Sequence, residues 1–459
     1  MTTGGRACFA MALAALGLGF AIGGPAVAAD LGAGCCADLE QRIAELEETT
    51  ARKGNRKVSL TVSGWINDAL FWWDDGTQRD VYEGTNMVEQ SRVKFLGEAK
   101  IDKDWSAGYL LEIALAGHVS NRWNQIGDKS ISFNPAHRDG AVFGRKTFWF
   151  IRSKQLGQIS VGHLGTSTYH LLDDADATLT RNIDDAEGAS IYMSAFLIRS
   201  GGSFVNGLRW PDVLRGFNNS TPGQSARRNI VRYDSSEFAG FAVSASFGED
   251  DIWDAALTFQ KDIGDFSVLA RAGYGASKDP GTMRGIPGQT YVVGGTPCIS
   301  SSTTATSLPG FECTWEGAAA TLQHTPTGLF VFGGWGRQSI ATDHVFPAGT
   351  VLEPDSTTWF IQPGIERTWI PLGMTDFFVE YRHDDPGSNP GKTVGASIDF
   401  WQAGVIQRLE AADMNLYLIY QYADGSFIGN AATAASGAPI GKTSIDGFQE
   451  IVSGVKINF

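Results

Sequence analysis

The residues best placed to do chemistry in this chain are charged. Six acids, Asp173, Asp174, Asp176, Asp184, Asp185 and Glu187, crowd into one stretch. A basic set, Arg92, Lys94, Arg228, Arg232, Arg271, Arg382 and Arg408, lies in segments of alternating polarity and by that alternation faces inward. Opposed charges across a narrow, poorly screened gap make a transverse field, which orients dipolar solutes and penalises apolar ones. Two plainer readings compete: arginines that brace a wall through salt bridges, and acids on a solvated surface loop. Calcium binding is poorly supported, because the run from Asp174 lacks the glycine and the downstream Glu of an EF-hand loop. No Cys/His spacing suits zinc, so neither metal nor cofactor is expected. His163 or His170 near Asp173 could be imagined as the base of a hydrolase. The sequence has no Gly-x-Ser-x-Gly elbow, no His-Glu-x-x-His and no phosphate loop, so no catalytic residue is assigned and an enzyme is not expected.

The elements that must position these charges are strands. From Val58 onward, sixteen runs of alternating polarity can be placed, at roughly 58–73, 88–101, 105–117, 141–155, 158–164, 227–235, 240–249, 252–262, 265–277, 315–325, 328–340, 357–369, 374–384, 395–409, 413–423 and 447–459. Val93, Phe95, Gly97, Ala99 and Ile101 alternate with Arg92, Lys94, Glu98 and Lys100. The runs near 141–155 and 357–369 change phase, which leaves their facing open. Short links at Lys103-Asp104, Gly157, Glu249-Asp250, Gly264, Pro326-Thr327 and Gly373 contrast with long Gly/Asp/Pro/Asn-rich connections. An even strand count with short turns and long loops fits a transmembrane antiparallel β-barrel of all-β class with both termini at one end. Trp72, Trp73, Trp105, Tyr109, Tyr274, Trp335, Trp359, Trp369 and Tyr381 fall near strand ends, as interfacial girdles require. Composition agrees: charged residues are 19%, aromatics 11%, and mean hydropathy is -0.10. A net charge of -14 argues against a nucleic-acid partner.

The N-terminal region sets the compartment. Arg6, an apolar run from Ala7 to Ile22 and the small residues Val27-Ala28-Ala29 predict a secretory signal peptide over 1–29, cut before Asp30. An exported chain without a spanning apolar helix can enter a membrane only as a barrel. Residues 30–57 form a separate segment. Cys36, Leu39, Ile43, Leu46 and Thr50 repeat at spacings of three and four, which predicts a short helix that packs on its own protein or bundles with its copies. Cys35 follows Leu31-Gly32-Ala33-Gly34, a faint lipoprotein-like pattern with the leucine one place early. Cys298 and Cys313 lie in a Gly/Ser/Thr/Pro-rich stretch and are candidates for an oxidised loop worth about 3 kcal/mol.

The last segment is the most diagnostic. Ile451, Val455 and Ile457 alternate with Glu450, Gly454, Lys456 and Asn458, and the chain ends in Phe459. A terminal aromatic on such a strand looks like the address read by the barrel-assembly machinery. Residues 165–226 make the longest interruption and join the fifth and sixth runs, and a loop of that length is usually functional. With the stretch Gly54-Asn55-Arg56-Lys57-Val58-Ser59-Leu60-Thr61-Val62-Ser63-Gly64, these features resemble the trimeric general porins of alphaproteobacteria, the rhizobial type. The resemblance implies a homotrimer in outer-membrane lipid, with small hydrophilic solutes diffusing through a water-filled pore. It implies that 165–226 folds inward as a constriction, with the acidic cluster facing the basic wall. Both signs at the narrow point predict weak selectivity with a slight lean toward cations. A channel specific for sugars or anions is the alternative, with Trp65, Phe148, Trp149 and Phe150 as the start of an aromatic row. One departure is visible: many members carry a cysteine pair just before the first strand, where this chain has Cys35-Cys36 and a heptad-like helix.

Overall fold

The computed structural model describes residues 58–116, 119–126, 141–181, 183–184, 195–214, 221–278, 312–341, 353, 355–387, 393–429 and 440–459. The signal peptide over 1–29, the helical segment 30–57 with Cys35 and Cys36, and Asp185, Glu187 and Cys298 lie outside the described residues.

Alternating sequence runs become the strands β1 (Ser59–Asp74), β2 (Arg79–Thr85), β3 (Arg92–Lys100), β4 (Trp105–Ala116), β5 (Ala141–Ser153) and β6 (Gly157–Gly165). Inside the long loop lie β7 (Leu197–Ser200), β8 (Ser203–Arg209) and a short helix, α1 (Trp210–Val213). The wall resumes with β9 (Arg227–Asp234), β10 (Phe241–Gly248), β11 (Trp253–Ile263), β12 (Phe266–Ser277) and β13 (Glu312–His324). It ends with β14 (Leu329–Ala341), β15 (Asp355–Ile370), β16 (Gly373–Asp385), β17 (Gly395–Leu409), β18 (Met414–Gly429) and β19 (Gly441–Asn458). Each wall strand pairs antiparallel with its neighbour, and β19 pairs with β1 to close a barrel. β2 and β3 both pair with β1, at Asp68–Asp74 and Ser59–Trp65, and so share one wall position, which leaves sixteen. Closure removes the edges of the wall sheet, the condition for placing strands in lipid.

The period of two sets the faces. Leu60, Val62, Ile66 and Leu70 are exposed on the outside of β1, while Asn67, Phe71 and Trp73, of opposite parity, are buried inside. Trp105, Tyr109, Tyr274, Trp335, Trp359 and Trp369 are exposed outward near strand ends, as a girdle requires. Trp73 departs from the girdle: it points into the barrel and packs on Phe196, with ring centroids 5.2 Å apart. Trp149 is likewise exposed outward and leaves the aromatic row, whereas Trp65 and Phe148 line the interior.

Three local readings are corrected. The run at 88–101 begins as a strand only at Arg92, and the wall above it is β2, because the buried segment Asn86–Ser91 leaves the ladder and folds inward. Glu249-Asp250 is a tight connection at the end opposite the termini, as is 75–78, so that end also carries short loops. The phase change in β5 is a bulge: Glu112 pairs with Lys146 and Ile113 with Gly144, which leaves Arg145 as the extra residue. A bulge admits two successive side chains to one face, and Arg145 and Lys146 both turn inward.

Candidate functional site

The site is built by the connection between β6 and β9, residues 166–226, whose described residues run along the inner face of the wall. Its contacts lead round the wall from β11 to β17. Near its start, the backbone N–H groups of Ser167 and Thr168 donate to the Asp254 carboxylate of β11, at 3.1 and 2.9 Å. Trp315 Nε1 of β13 donates to Thr168 Oγ1 at 2.8 Å. Asp174 then accepts from Arg271 Nη1 of β12 at 2.6 Å. Thr321 Oγ1 of β13 donates to the Ala175 carbonyl at 2.7 Å, and Leu179 N–H donates to Glu366 Oε2 of β15 at 2.7 Å. With its side-chain amide turned to face the loop, Gln402 of β17 donates to Asp184 at 3.0 Å.

The loop then forms the β7–β8 hairpin, whose Gly201 and Gly202 N–H groups donate to Asp446 of β19 at 2.9 and 2.7 Å. Arg199 crosses to Asp75 at 2.6 Å, beyond β1. The apolar side chains Phe196, Ile198, Val205, Leu208, Trp210 and Val213 are all buried. They pack with inward residues of β1 and β17–β19, including Phe71, Phe400, Phe427 and Phe448. Each such ring or branched chain contributes about 1.5–3 kcal/mol when taken from water. This half of the lumen is therefore a packed core.

The return segment is held by glycine. Gly223, at φ +91°, lies against Gly317 and Gly336 of the wall, and a Cβ on Gly336 would collide with the Pro222 carbonyl. Only residues without a side chain let the loop backbone touch the strand backbone here.

Beside this core, among the described residues, lies a polar cavity of about 350 Å³ between the loop and the wall of β1, β3–β6 and β9. Its lining mixes signs. Glu89 pairs with Arg92, Glu112 accepts from Arg145 Nε at 2.8 Å and Arg92 Nη1 at 3.4 Å, and Asp234 pairs with Arg232 at 2.6 Å. On the loop, Asp174 pairs with Arg181 at 2.5 Å as well as with Arg271. Burial alone would raise the Asp174 carboxyl, but Arg181 and Arg271 hold it down at about 2. Tyr169 sits at the lip, its hydroxyl accepting from Arg227 Nη1 at 2.8 Å. Its phenol would also rise on burial, yet Arg227, His170, Arg145 and Lys146 draw it down to about 7.

The sequence-derived residues are thus distributed unevenly. Arg92, Lys94, Arg232 and Asp174 line the cavity, and Arg271 reaches it through Asp174. Asp173 is buried behind it, 2.7 Å from His170 Nδ1. Asp176 is buried in a turn, where it accepts from the Thr178 N–H and from the Thr178 and Thr180 hydroxyls; burial pushes its carboxyl up. Arg382 is fully buried against Asp384 of its own strand, Arg408 pairs with Asp413 at the turn after β17, and Arg228 is half-buried on β9. Cys313 is buried and disulfide-bonded. Sequence reasoning missed Glu89, Glu112, Arg145, Lys146, Arg181 and Tyr169. Glu112 is legible from alternation with Leu111 and Ile113, whereas Arg145 needs the bulge and Glu89 the departing segment.

A closed barrel with a long loop packed against its inner wall is the architecture of an outer-membrane channel protein. A family model described as Gram-negative porin matches residues 12–310. The chain belongs to the Gram-negative porin family, and it is a passive diffusion channel of the outer membrane. A comparison with curated protein sequences finds no match. Among solved structures, an anion-selective porin from Comamonas acidovorans is similar at 14% identity and a TM-score of 0.53, with 88% of this chain and 100% of that one covered. The outer membrane channel DcaP of Acinetobacter baumannii is similar at 11% identity and a TM-score of 0.50, with 89% and 99% covered. A loop L8 deletion mutant of OmpT, an outer membrane protein of Vibrio cholerae, follows at 13% identity and a TM-score of 0.50, with 88% and 100% covered. At these identities the likeness is one of fold.

Proposed function

We propose that the narrowest part of the aqueous path is the gap between the loop 166–226 and the wall of β3–β6, and that small hydrophilic solutes cross it by diffusion. The Asp174–Arg271 pair carries this reading, because it fixes a charged loop residue to the barrel wall while Asp174 still faces the cavity. The packed apolar core on the opposite side supports it, since among the described residues that side is filled and the polar cavity is not. Uptake of sugars of increasing mass into protein-containing liposomes tests it: rates should fall steeply with solute size, and size-independent uptake would refute a narrow gap.

The finer assignment is to the rhizobial type of alphaproteobacterial porin, supported by the Gly54–Gly64 stretch and the terminal Phe459. In this reading three copies associate through the barrel wall, and the barrel-assembly machinery recognises β19 by its terminal aromatic. Light scattering in mild detergent tests the trimer, and a monomer would count against it. Cys298 is the proposed partner of Cys313. A substrate-specific channel for sugars or anions is the second reading, with the aromatic Trp65 and Phe148 on the cavity wall in its favour for sugars.

A further inference from the structure

The register of β3, β4 and β5 places Lys94, Glu112 and Lys146 in one row across the wall. The two lysines stand two strand spacings apart, about 9–10 Å. Glu112 stands between them and attracts both, but its carboxylate takes its close ion pairs from Arg145 and Arg92. The other acids on the cavity wall are likewise matched to arginines: Glu89 to Arg92, Asp174 to Arg181 and Arg271, and Asp234 to Arg232. Among the described residues neither lysine forms an ion pair. Lys94 Nζ lies over the Trp65 ring at 4.3 Å and Lys146 Nζ over Tyr169 at 5.3 Å. Both ammonium groups therefore keep donors for a solute. The neighbouring row is apolar, since Leu110 pairs with Phe148 and both line the cavity.

We propose that the row Lys94–Lys146 above Leu110–Phe148 is a binding station for small organic carboxylates that carry an apolar ring or chain. The carboxylate takes ammonium donors, and the apolar body lies against Phe148 and Leu110. Charge-assisted hydrogen bonds to two lysines fix the head group, and the adjacent apolar row discriminates against small hydrophilic anions. This station rests on the diffusion-channel reading and names the solute class of the same gap. It reverses the slight lean toward cations expected from the sequence, because the unpaired charges at the gap are positive.

The test uses the purified full-length protein in planar bilayers with potassium chloride, and sodium benzoate, sodium acetate or benzyl alcohol as probes. Benzoate should reduce the chloride current at lower concentration than acetate, and neutral benzyl alcohol should not reduce it. Lys94→Gln with Lys146→Gln should raise the half-blocking benzoate concentration about tenfold or more, and Phe148→Ala should bring benzoate and acetate together. Lys94→Arg should retain block, since it keeps the charge. A half-blocking concentration unchanged in the double lysine variant, or equal block by benzyl alcohol, overturns the proposal. Folded, heat-modifiable protein that gives no chloride conductance at all overturns the diffusion-channel reading and the station with it.

Discussion

Asp174 Oδ2 lies 2.6 Å from Arg271 Nη1, so the acidic loop and the barrel wall meet in a direct ion pair. Arg181 holds the other carboxylate oxygen at 2.5 Å from within the same loop. One loop carboxylate thus consumes a wall cation and a loop cation at the edge of the cavity.

Asp174→Asn should free both guanidinium groups and shift the zero-current potential in a low-salt gradient toward anions. The shift should shrink at high salt, where the Debye length falls to about 3 Å at 1 M. Asp176→Asn should leave selectivity unchanged, because Asp176 is buried in its turn. The pH dependence follows the sign of the shift. A carboxyl lowered to about 2 stays charged at mild acidity, and its contribution is lost only as pH falls from about 4 toward 2. Below the range in which the Tyr169 phenol takes up its proton, near 7, wild-type selectivity should be flat to about pH 4 and move toward anions as pH falls further; this last movement should be absent in Asp174→Asn, and its persistence there would contradict the pairing.

Asp254 anchors the start of the loop, accepting from Ser167 N–H, Thr168 N–H, Thr168 Oγ1 and Ser246 Oγ. Asp254→Ala strands those buried donors at a cost of about 1–3 kcal/mol each. Limited proteolysis should then cut within 166–226 faster, and current noise should rise while the barrel stays heat-modifiable. Wild-type proteolysis kinetics would show that the loop is held elsewhere.

Gly336→Val places a side chain where the Pro222 carbonyl lies. Overpacking of this kind costs about 1–3 kcal/mol. The return segment should lift from β14, and the variant should melt lower than wild type with altered conductance. An unchanged melting temperature would mean that the contact is loose.

Phe459 closes the barrel as well as ending it: Gly64 N–H donates to its carbonyl at 2.9 Å, and its own N–H donates to the Gly64 carbonyl at 3.1 Å. Its ring is exposed on the outside. Deleting Phe459 should lower the yield of folded barrel in the outer membrane, and a Phe459→Ala variant, which keeps both backbone bonds, should show a similar drop if the ring is the address. Normal levels of both variants would refute that role.

The barrel was legible because alternation in a membrane strand is imposed by two different solvents, lipid outside and water or polar groups inside. The signal fails where the backbone leaves the ladder. The run read from Val88 includes residues that fold inward as part of Asn86–Ser91, and Arg145 inverts the phase of β5 by one residue. The apolar filling of the lumen was hidden for another reason. Ser200-Gly201-Gly202-Ser203 between Leu197-Ile198 and Phe204-Val205 is a hairpin signal, but it sits in a loop where no wall strand was needed. Site charges were readable as types and not as pairs. Arg382 and Arg408 alternate inward like Arg271, and only the path of the loop decides that Arg271 meets Asp174.

The most direct measurement is single-channel conductance with the loop removed. β6 and β9 are hydrogen-bonded neighbours, and Thr166 N–H already donates to the Ala226 carbonyl at 3.2 Å, so residues 167–225 can be replaced by a tight turn of about two to four residues without moving the wall. If the loop narrows the path, the folded variant should conduct several times more current than wild type and lose its discrimination among sugars by size. Equal conductance in the two proteins would contradict the account and place the narrowing elsewhere.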